Sequence, residues 1–95
     1  MPVKKVQCVI NGQAVRSLDD FYGELIRQLP FPPHFGNNLD ALQDVLTADI
    51  AGPVRIVWEG AEASRSAMGD DFERVLALLR AVGKERRDIT VTIRD

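Results

Sequence analysis

The chain has 95 residues, of which 45% are hydrophobic and 27% are charged, and its formal net charge at pH 7 is −2. This length suits one domain spanning residues 1–95, with a core of its own, and leaves no room for a second domain. General nucleic-acid binding needs a basic surface, so no nucleic-acid partner is predicted. No apolar run approaches the length of a membrane span, so no membrane partner is predicted either.

The cysteine content and the N-terminal residues predict where the protein works. Cys8 is the single cysteine and cannot form an internal disulfide, which makes the chain compatible with a reducing compartment. The first residues lack the apolar core of a signal peptide. A cytoplasmic protein is therefore expected. No cofactor or metal is predicted, and a monomer is favoured.

A strand and a helix are predicted first along the chain. Val3–Ile10 is an apolar run typical of a strand, and Asn11-Gly12 follows it with a turn signal. Ser17 is predicted to cap a helix, with Asp20 in the capping-box position and Pro30 as the stop. The apolar residues that recur on one face of this helix are Phe21, Leu25 and Leu29.

A short acidic helix is predicted next. Asn38 is a good N-cap, because its side-chain oxygen can accept a hydrogen bond from a backbone N–H of the first turn. There is no Lys or Arg from Gln28 to Val54, whereas Asp40, Asp44 and Asp49 all lie there. This uneven distribution of charge indicates a surface that binds a positively charged partner. The buried stripe of the helix is predicted to be Leu39, Leu42 and Leu46, with Val45 beside it.

A third strong helix is predicted in the second half of the chain. Asp70 is its predicted N-cap, with Glu73 in the capping-box position, and Gly83 suits its C-terminus. The segment Gly60–Gly69 before it fits either a loop or a short helix. The predicted apolar face of the third helix is Phe72, Val75, Leu76, Leu79 and Val82.

Two further strands complete the predicted elements. Pro53–Trp58 is an apolar run, and Ile89–Ile93 alternates strictly between apolar and polar residues. Strands separated by helices predict a small parallel sheet, because parallel neighbours need crossover connections. The fold class predicted from these patterns is therefore α/β, with all three strands parallel.

Four segments, in this order and at near-matching spacing, resemble one protein family. The most characteristic is Phe35-Gly36-x-Asn38-Leu39-Asp40-Ala41-Leu42-x-Asp44-x-Leu46-Thr47, and the others are Val9–Gly12, Pro53–Trp58 and Asp88–Thr90. They resemble the barstar family, whose members are intracellular inhibitors of barnase-type ribonucleases. The resemblance covers nearly the whole chain. It implies a barstar-like three-stranded parallel sheet packed by three or four helices, and an inhibitor rather than an enzyme.

The resemblance also implies a partner and a surface that binds it. The implied partner is a barnase-like (guanyl-type) ribonuclease, whose active site is plugged by the second helix and its preceding loop, with acidic side chains in place of substrate phosphate. Asp44 matches the dominant acidic contact of the family and Asp40 matches a second one. The predicted partner-binding residues are His34, Phe35, Gly36, Asn38, Leu39, Asp40, Gln43, Asp44, Thr47 and Asp49.

Four positions depart from the best-studied member of the family. His34 stands in place of a Tyr, and Gln43 and Asp49 each stand in place of a Trp. Ala81 stands in place of a Glu that makes a further ion pair. The acidic centre of the predicted surface is kept while its aromatic and peripheral contacts are replaced, which suits a different nuclease.

Other interpretations of these residues remain open. Asp40 is favoured at a helix N-terminus by the helix dipole, and an exposed acidic pair is commonly a solvated face. The same fold could instead serve as an interaction module for a partner that is not a ribonuclease. A third possibility is a small acid/base enzyme that uses His34 with Asp40 or Asp44, although no catalytic or metal-ligand spacing surrounds this single histidine.

Three further features have ordinary structural interpretations. Cys8 lies in an apolar strand and is predicted to be a small buried residue. Trp58, at the end of the second strand, is predicted to belong to the core. Lys84–Arg87 is predicted to be a solvated helix end, where the helix dipole favours positive charge.

Overall fold

The computed structural model describes residues 6–95. Val3, Lys4 and Lys5, the start of the predicted first strand, lie outside that range. The strands and helices are β1 (Val6–Asn11), α1 (Leu18–Gln28), α2 (Leu39–Asp44) with a π-helical continuation (Val45–Asp49), β2 (Val54–Glu59), α3 (Ala61–Met68), α4 (Asp70–Glu85) and β3 (Ile89–Ile93). The segment that could have been a loop or a helix is thus α3.

The three strands form one parallel sheet in the order β1-β2-β3, which confirms the predicted fold class. Cys8 pairs with Ile56, which pairs in turn with Val91. Because both crossovers advance in the same direction and such connections are right-handed, the helices cover one face of the sheet. Accordingly, the side chains of Cys8 and Ile56 are fully buried, whereas those of Val9 and Thr90, on the opposite face, are exposed.

Trp58 lies at the centre of the core, as predicted. Its ring stacks on Phe21 and tilts against Phe72, with 5.0 Å between the ring centroids in each case. The indole Nε1 donates a hydrogen bond of 3.1 Å to the hydroxyl of Ser64. That hydroxyl lies 2.8 Å from the carbonyl oxygens of Gly12 and Val15 and can donate to one of them. Ser64 therefore ties α3 to the indole and to the turn after β1.

The start of α1 follows the predicted capping pattern with one shift. The Ser17 hydroxyl accepts a hydrogen bond of 3.1 Å from the N–H of Asp20. The Asp20 carboxylate accepts from the N–H of Arg16, at 3.0 Å, and not from the N–H of Ser17. The shorter Asp side chain thus takes the role of Glu in the capping box while bonding the residue before the cap.

The predicted ends of the third helix were wrong at both termini. Gly69, with φ 59° and ψ −128°, is the N-cap of α4, and Asp70 is the first helical residue. The chain turns sharply there because α3 runs directly into α4, and glycine permits the positive φ. At the other end, α4 passes through Gly83 and stops at Glu85. Packing of α4 against β3 outweighs the low helix propensity of glycine.

No helix in residues 6–95 is both long enough and apolar enough to span a lipid bilayer.

Replacing Ser64 with Ala should destabilise the fold. The change leaves the buried Trp58 N–H without an acceptor, and such a loss costs about 1–3 kcal/mol. Ser66→Ala is the matched control, because Ser66 lies on the same helix and is exposed. Urea denaturation measures both variants. A loss for Ser64→Ala no larger than for the control would contradict this role of the hydroxyl.

Candidate protein-binding surface

The loop before α2 is anchored by Phe35. Its ring packs edge-on against Tyr22 and Phe31, with centroid distances of 5.7 and 5.0 Å. Its N–H donates a hydrogen bond of 3.1 Å to the carbonyl of Pro32. These contacts hold the loop against α1 and leave the neighbouring His34 exposed. Phe35 itself is half-buried, so its contribution to the predicted surface is mainly to position the loop.

Asn38 joins the loop to α2 through both ends of its side-chain amide. Oδ1 accepts a hydrogen bond of 2.8 Å from the N–H of Ala41, which confirms the predicted N-cap. Nδ2 donates a hydrogen bond of 3.0 Å to the carbonyl of Gly36. One side chain therefore fixes the loop relative to the first turn of the helix. The residue before it, Asn37, has a positive φ of 41°, which Asn tolerates better than most residues.

The three predicted acidic residues are exposed on this segment. Asp40 and Asp44 lie four residues apart on α2, with Gln43 beside them, and Asp49 ends the π-helical continuation. No salt bridge within residues 6–95 links any of the three to a basic side chain. The opposite side of the segment is buried, with Leu42 and Leu46 fully inaccessible to solvent. The segment is thus held by its apolar side and presents free carboxylates on the other.

The helix widens into a π-helical turn after Asp44, which the sequence patterns did not predict. The N–H of Ile50 donates to the carbonyl of Val45, five residues back, at 3.1 Å. The Thr47 hydroxyl donates to the carbonyl of Gln43 within the same turn. Thr47 is half-buried, and its hydroxyl serves the helix backbone. Asp49 is consequently displaced from the position that α-helical spacing would give it.

The end of this segment is held by Arg86, which sequence reasoning placed wrongly in a solvated helix end. The Arg86 side chain is 17% exposed. Its Nη1 donates hydrogen bonds of 2.9 and 2.5 Å to the carbonyls of Leu46 and Ile50. The last carbonyls of a helix lack partners within the helix, and a positive charge there also complements the dipole. Residues 28–54 contain no Lys or Arg, so the positive charge at the end of this segment comes from Arg86.

Arg86 is itself oriented by Asp88 through a two-bond pair. Nε and Nη2 donate to the two carboxylate oxygens of Asp88 at 3.1 and 2.7 Å. The hydrogen bond from Arg86 lowers the pKa of Asp88 below its usual value. A Cβ on Gly52 would overlap the Asp88 carboxylate, so a larger residue there would have to displace the pair. The signal available in the sequence was an Arg-x-Asp spacing after α4, together with the missing cation at the end of the acidic helix.

An open depression of about 520 Å³ lies between α1 and the start of α2. Tyr22, which is 3% exposed, forms part of it. Burial raises the pKa of Tyr22, and the charges of Asp19 and Asp71 add to that effect. His34 lines neither this depression nor the other two described for residues 6–95, which gives no support to an acid/base site around it.

The structure brings most of the predicted surface residues together on one continuous segment. Ala81, the fourth departure from the family pattern, is exposed on α4, which packs against α2. Among residues 6–95, no group of three or more His, Cys, Asp or Glu side chains is placed to hold a metal ion. Phe35, Leu39 and Thr47 are half-buried, and the exposed members are His34, Gly36, Asn38, Asp40, Gln43, Asp44 and Asp49.

Arg86→Met should destabilise the fold and loosen residues 46–50 first. The variant keeps much of the apolar stem but removes the donors to two carbonyls, a loss expected to cost about 1–3 kcal/mol. Urea denaturation gives the stability, and amide hydrogen exchange gives the location of the change. Arg87→Met is the control, because Arg87 is exposed. If both variants matched the wild type in exchange at residues 46–50, Arg86 would not be holding this segment.

Comparison with known proteins agrees with this architecture. The sequence model of the family described as "Barstar (barnase inhibitor)" matches residues 6–94. A protein of Bacillus subtilis (strain 168) named "Putative ribonuclease inhibitor YrdF" is 30% identical over 80 residues, which cover 84% of this chain and 88% of that protein. The family model extends over β1, the acidic segment and β3 alike. On these grounds the chain belongs to the barstar family.

Proposed function

We propose that this protein inhibits a barnase-like, guanyl-type ribonuclease by covering its active site with α2 and the preceding loop. Family membership and the name of the Bacillus subtilis relative support a ribonuclease inhibitor. The observation that carries the proposed mechanism is the pair Asp40 and Asp44, exposed and without basic partners in residues 6–95, on a helix fixed at both ends. The inhibitor would act in the cytoplasm, where such a ribonuclease would otherwise degrade RNA.

The chemistry rests on similarity between carboxylate and phosphate. A ribonuclease binds the phosphate of its substrate with basic side chains around a cleft. A carboxylate can accept charge-assisted hydrogen bonds from the same side chains, and these are stronger than neutral ones. Asn38 and Arg86 hold the two ends of the acidic segment, so little conformational freedom should be lost when it binds.

The absence of Lys and Arg from residues 28–54 should also speed association with a basic partner. Exposed like charges create a negative potential that extends into solvent and attracts a basic cleft before contact. Such attraction raises the association rate, an effect for which the barnase–barstar pair is itself a known example. Fast capture suits an inhibitor whose target destroys RNA catalytically.

A partner other than a ribonuclease is the second candidate. His34, Gln43 and Asp49 are exposed around the acidic pair and differ from the aromatic residues of the best-studied family member. A changed rim fits a changed partner. Affinity capture with wild-type protein and with a variant lacking both Asp40 and Asp44 distinguishes the two candidates. A small basic ribonuclease retained by the wild type alone supports the first, and an acid-dependent partner without nuclease activity supports the second.

Asp44→Ala should weaken ribonuclease binding by about 2 kcal/mol or more, a scale taken from known interface hot spots that include the matching residue of a family member. Fold stability should stay equal or rise by about 0.2–0.5 kcal/mol, because the repulsion between Asp40 and Asp44 is relieved. Calorimetric titration and urea denaturation measure the two effects. Glu62→Ala on α3 is the control for a lost exposed carboxylate. An affinity within twofold of wild type would remove Asp44 from the proposed site.

The association rate should fall steeply with added salt. At about 0.15 M salt the screening length is about 8 Å, so attraction beyond direct contact is largely lost. Charge reversal by Asp49→Lys should mainly lower the association rate, whereas Asp44→Lys should mainly raise the dissociation rate, because desolvated pairs are poorly screened.

Stopped-flow kinetics over a salt series tests these rates, with Glu62→Lys as the control for a charge reversed on α3. The control should leave dissociation unchanged and affect association less than Asp49→Lys does. An association rate independent of salt would show that the acidic face does not attract the partner.

A further inference from the structure

The two edges of the sheet differ in whether a side chain blocks their outward-facing backbone groups. At the β1 edge, the side-chain amide of Gln28 pairs with the backbone of Val9. The Val9 N–H donates to Gln28 Oε1 at 3.0 Å, and Gln28 Nε2 donates to the Val9 carbonyl at 2.8 Å. Glu24 also accepts from this amide, at 3.0 Å. The amide thus occupies the middle of the β1 edge and obstructs pairing with another strand.

The β3 edge has no such block among the described residues. The N–H of Val54 donates to the Asp88 carbonyl, and the N–H of Arg94 donates to the Trp58 carbonyl, both at 2.8 Å. Because alternate residues of a strand direct their backbone groups to opposite sides, Val91 and Ile93 direct theirs away from β2. No other backbone hydrogen bond in residues 6–95 uses them. An unpaired strand edge of this kind is a template for a further strand.

The sequence of this edge is complementary to itself when one copy is reversed. Residues 87–95 read Arg-Asp-Ile-Thr-Val-Thr-Ile-Arg-Asp. Around Val91 the five central residues are the same in both directions. The flanking charges change sign, because Asp88 corresponds to Arg94 and Arg87 corresponds to Asp95. A parallel pairing in register would place like charges side by side, whereas an antiparallel one places opposite charges together.

We propose that two copies of this protein associate through their β3 edges, antiparallel, with the twofold axis at Val91. Each Val91 N–H then donates to the Val91 carbonyl of the second copy, and each Ile93 N–H donates to the Ile89 carbonyl. Thr90 lies opposite Thr92, a pair whose side chains are compatible across antiparallel strands. Arg87 and Asp88, in the turn just before β3, then lie near Asp95 and Arg94 at the far end of the second copy's β3. The two sheets become one six-stranded sheet, in place of the favoured monomer.

A depression beside the edge gives the second copy an apolar contact. It has a volume of about 410 Å³ and lies between α4 and β3. Directly opposed side chains share one face of a sheet, so Val91 of the second copy lies on the side of this depression. Exposed Arg80 and Lys84 stay at its rim. No residue of the candidate protein-binding surface lies on β3 or lines the depression, so the association does not depend on the proposed function.

Charge exchange at Arg87 and Asp95 tests the register. Both side chains are exposed and make no ion pair within residues 6–95, so changing them should leave the fold intact. Arg87→Asp alone and Asp95→Arg alone each bring like charges together twice per dimer and should weaken association about tenfold. The double variant restores opposite charges and should recover wild-type association. Sedimentation velocity over a concentration series measures all four proteins, and circular dichroism confirms that they are folded.

Amide hydrogen exchange gives a second, independent readout. The amides of Val91 and Ile93 should become protected as the protein concentration rises, while that of Gln7 on the β1 edge should not. A wild-type protein that remains monomeric up to about 1 mM would overturn the proposal and leave the edge to an extended segment of another protein. A dimer that both single variants leave unchanged would overturn it as well, because the two copies would then meet through another surface.

Discussion

The Arg86 guanidinium connects the parts of this fold on which the candidate surface depends. It lies just after α4, pairs with Asp88 just before β3, and donates to the carbonyls of Leu46 and Ile50. One cation thus joins the end of a long helix, the beginning of an edge strand and the end of the acidic segment. Because it lies at the buried C-terminal end, it compensates the helix dipole there without neutralising the exposed carboxylates.

This placement explains how the protein can keep an acidic face without losing the helix that carries it. Asp40 and Asp44 repel each other at their spacing of four residues, by about 0.2–0.5 kcal/mol for a pair of this kind. Burial of Leu42 and Leu46, the Asn38 cap and the bonds from Arg86 together exceed that cost. A substitution at either position would remove this repulsion. Its presence is therefore consistent with two carboxylates kept for binding a partner, not for fold stability.

The elements that follow local rules could be predicted from the sequence. The strands, the Asn38 cap and the burial of Trp58 depend on short patterns, and the structure confirms them. The start of α4 could not be predicted in the same way, because Gly69 becomes its N-cap only through the sharp turn between α3 and α4. Arg86 was missed for a similar reason, since its acceptors lie 36 to 40 residues away in the chain. The motif around Asp40 and Asp44 located the candidate surface through family resemblance, while its support from α4 and β3 is tertiary.

The proposed inhibition requires the acidic segment to occupy the phosphate-binding site of a ribonuclease. Competition between this protein and a guanine mononucleotide for a barnase-like ribonuclease shows whether it does. If the carboxylates take the place of phosphate, the apparent dissociation constant of the protein complex should rise in proportion to nucleotide concentration once the nucleotide saturates the enzyme. Binding that is unchanged by saturating nucleotide would place the contact outside the active site and rule out phosphate mimicry by Asp40 and Asp44.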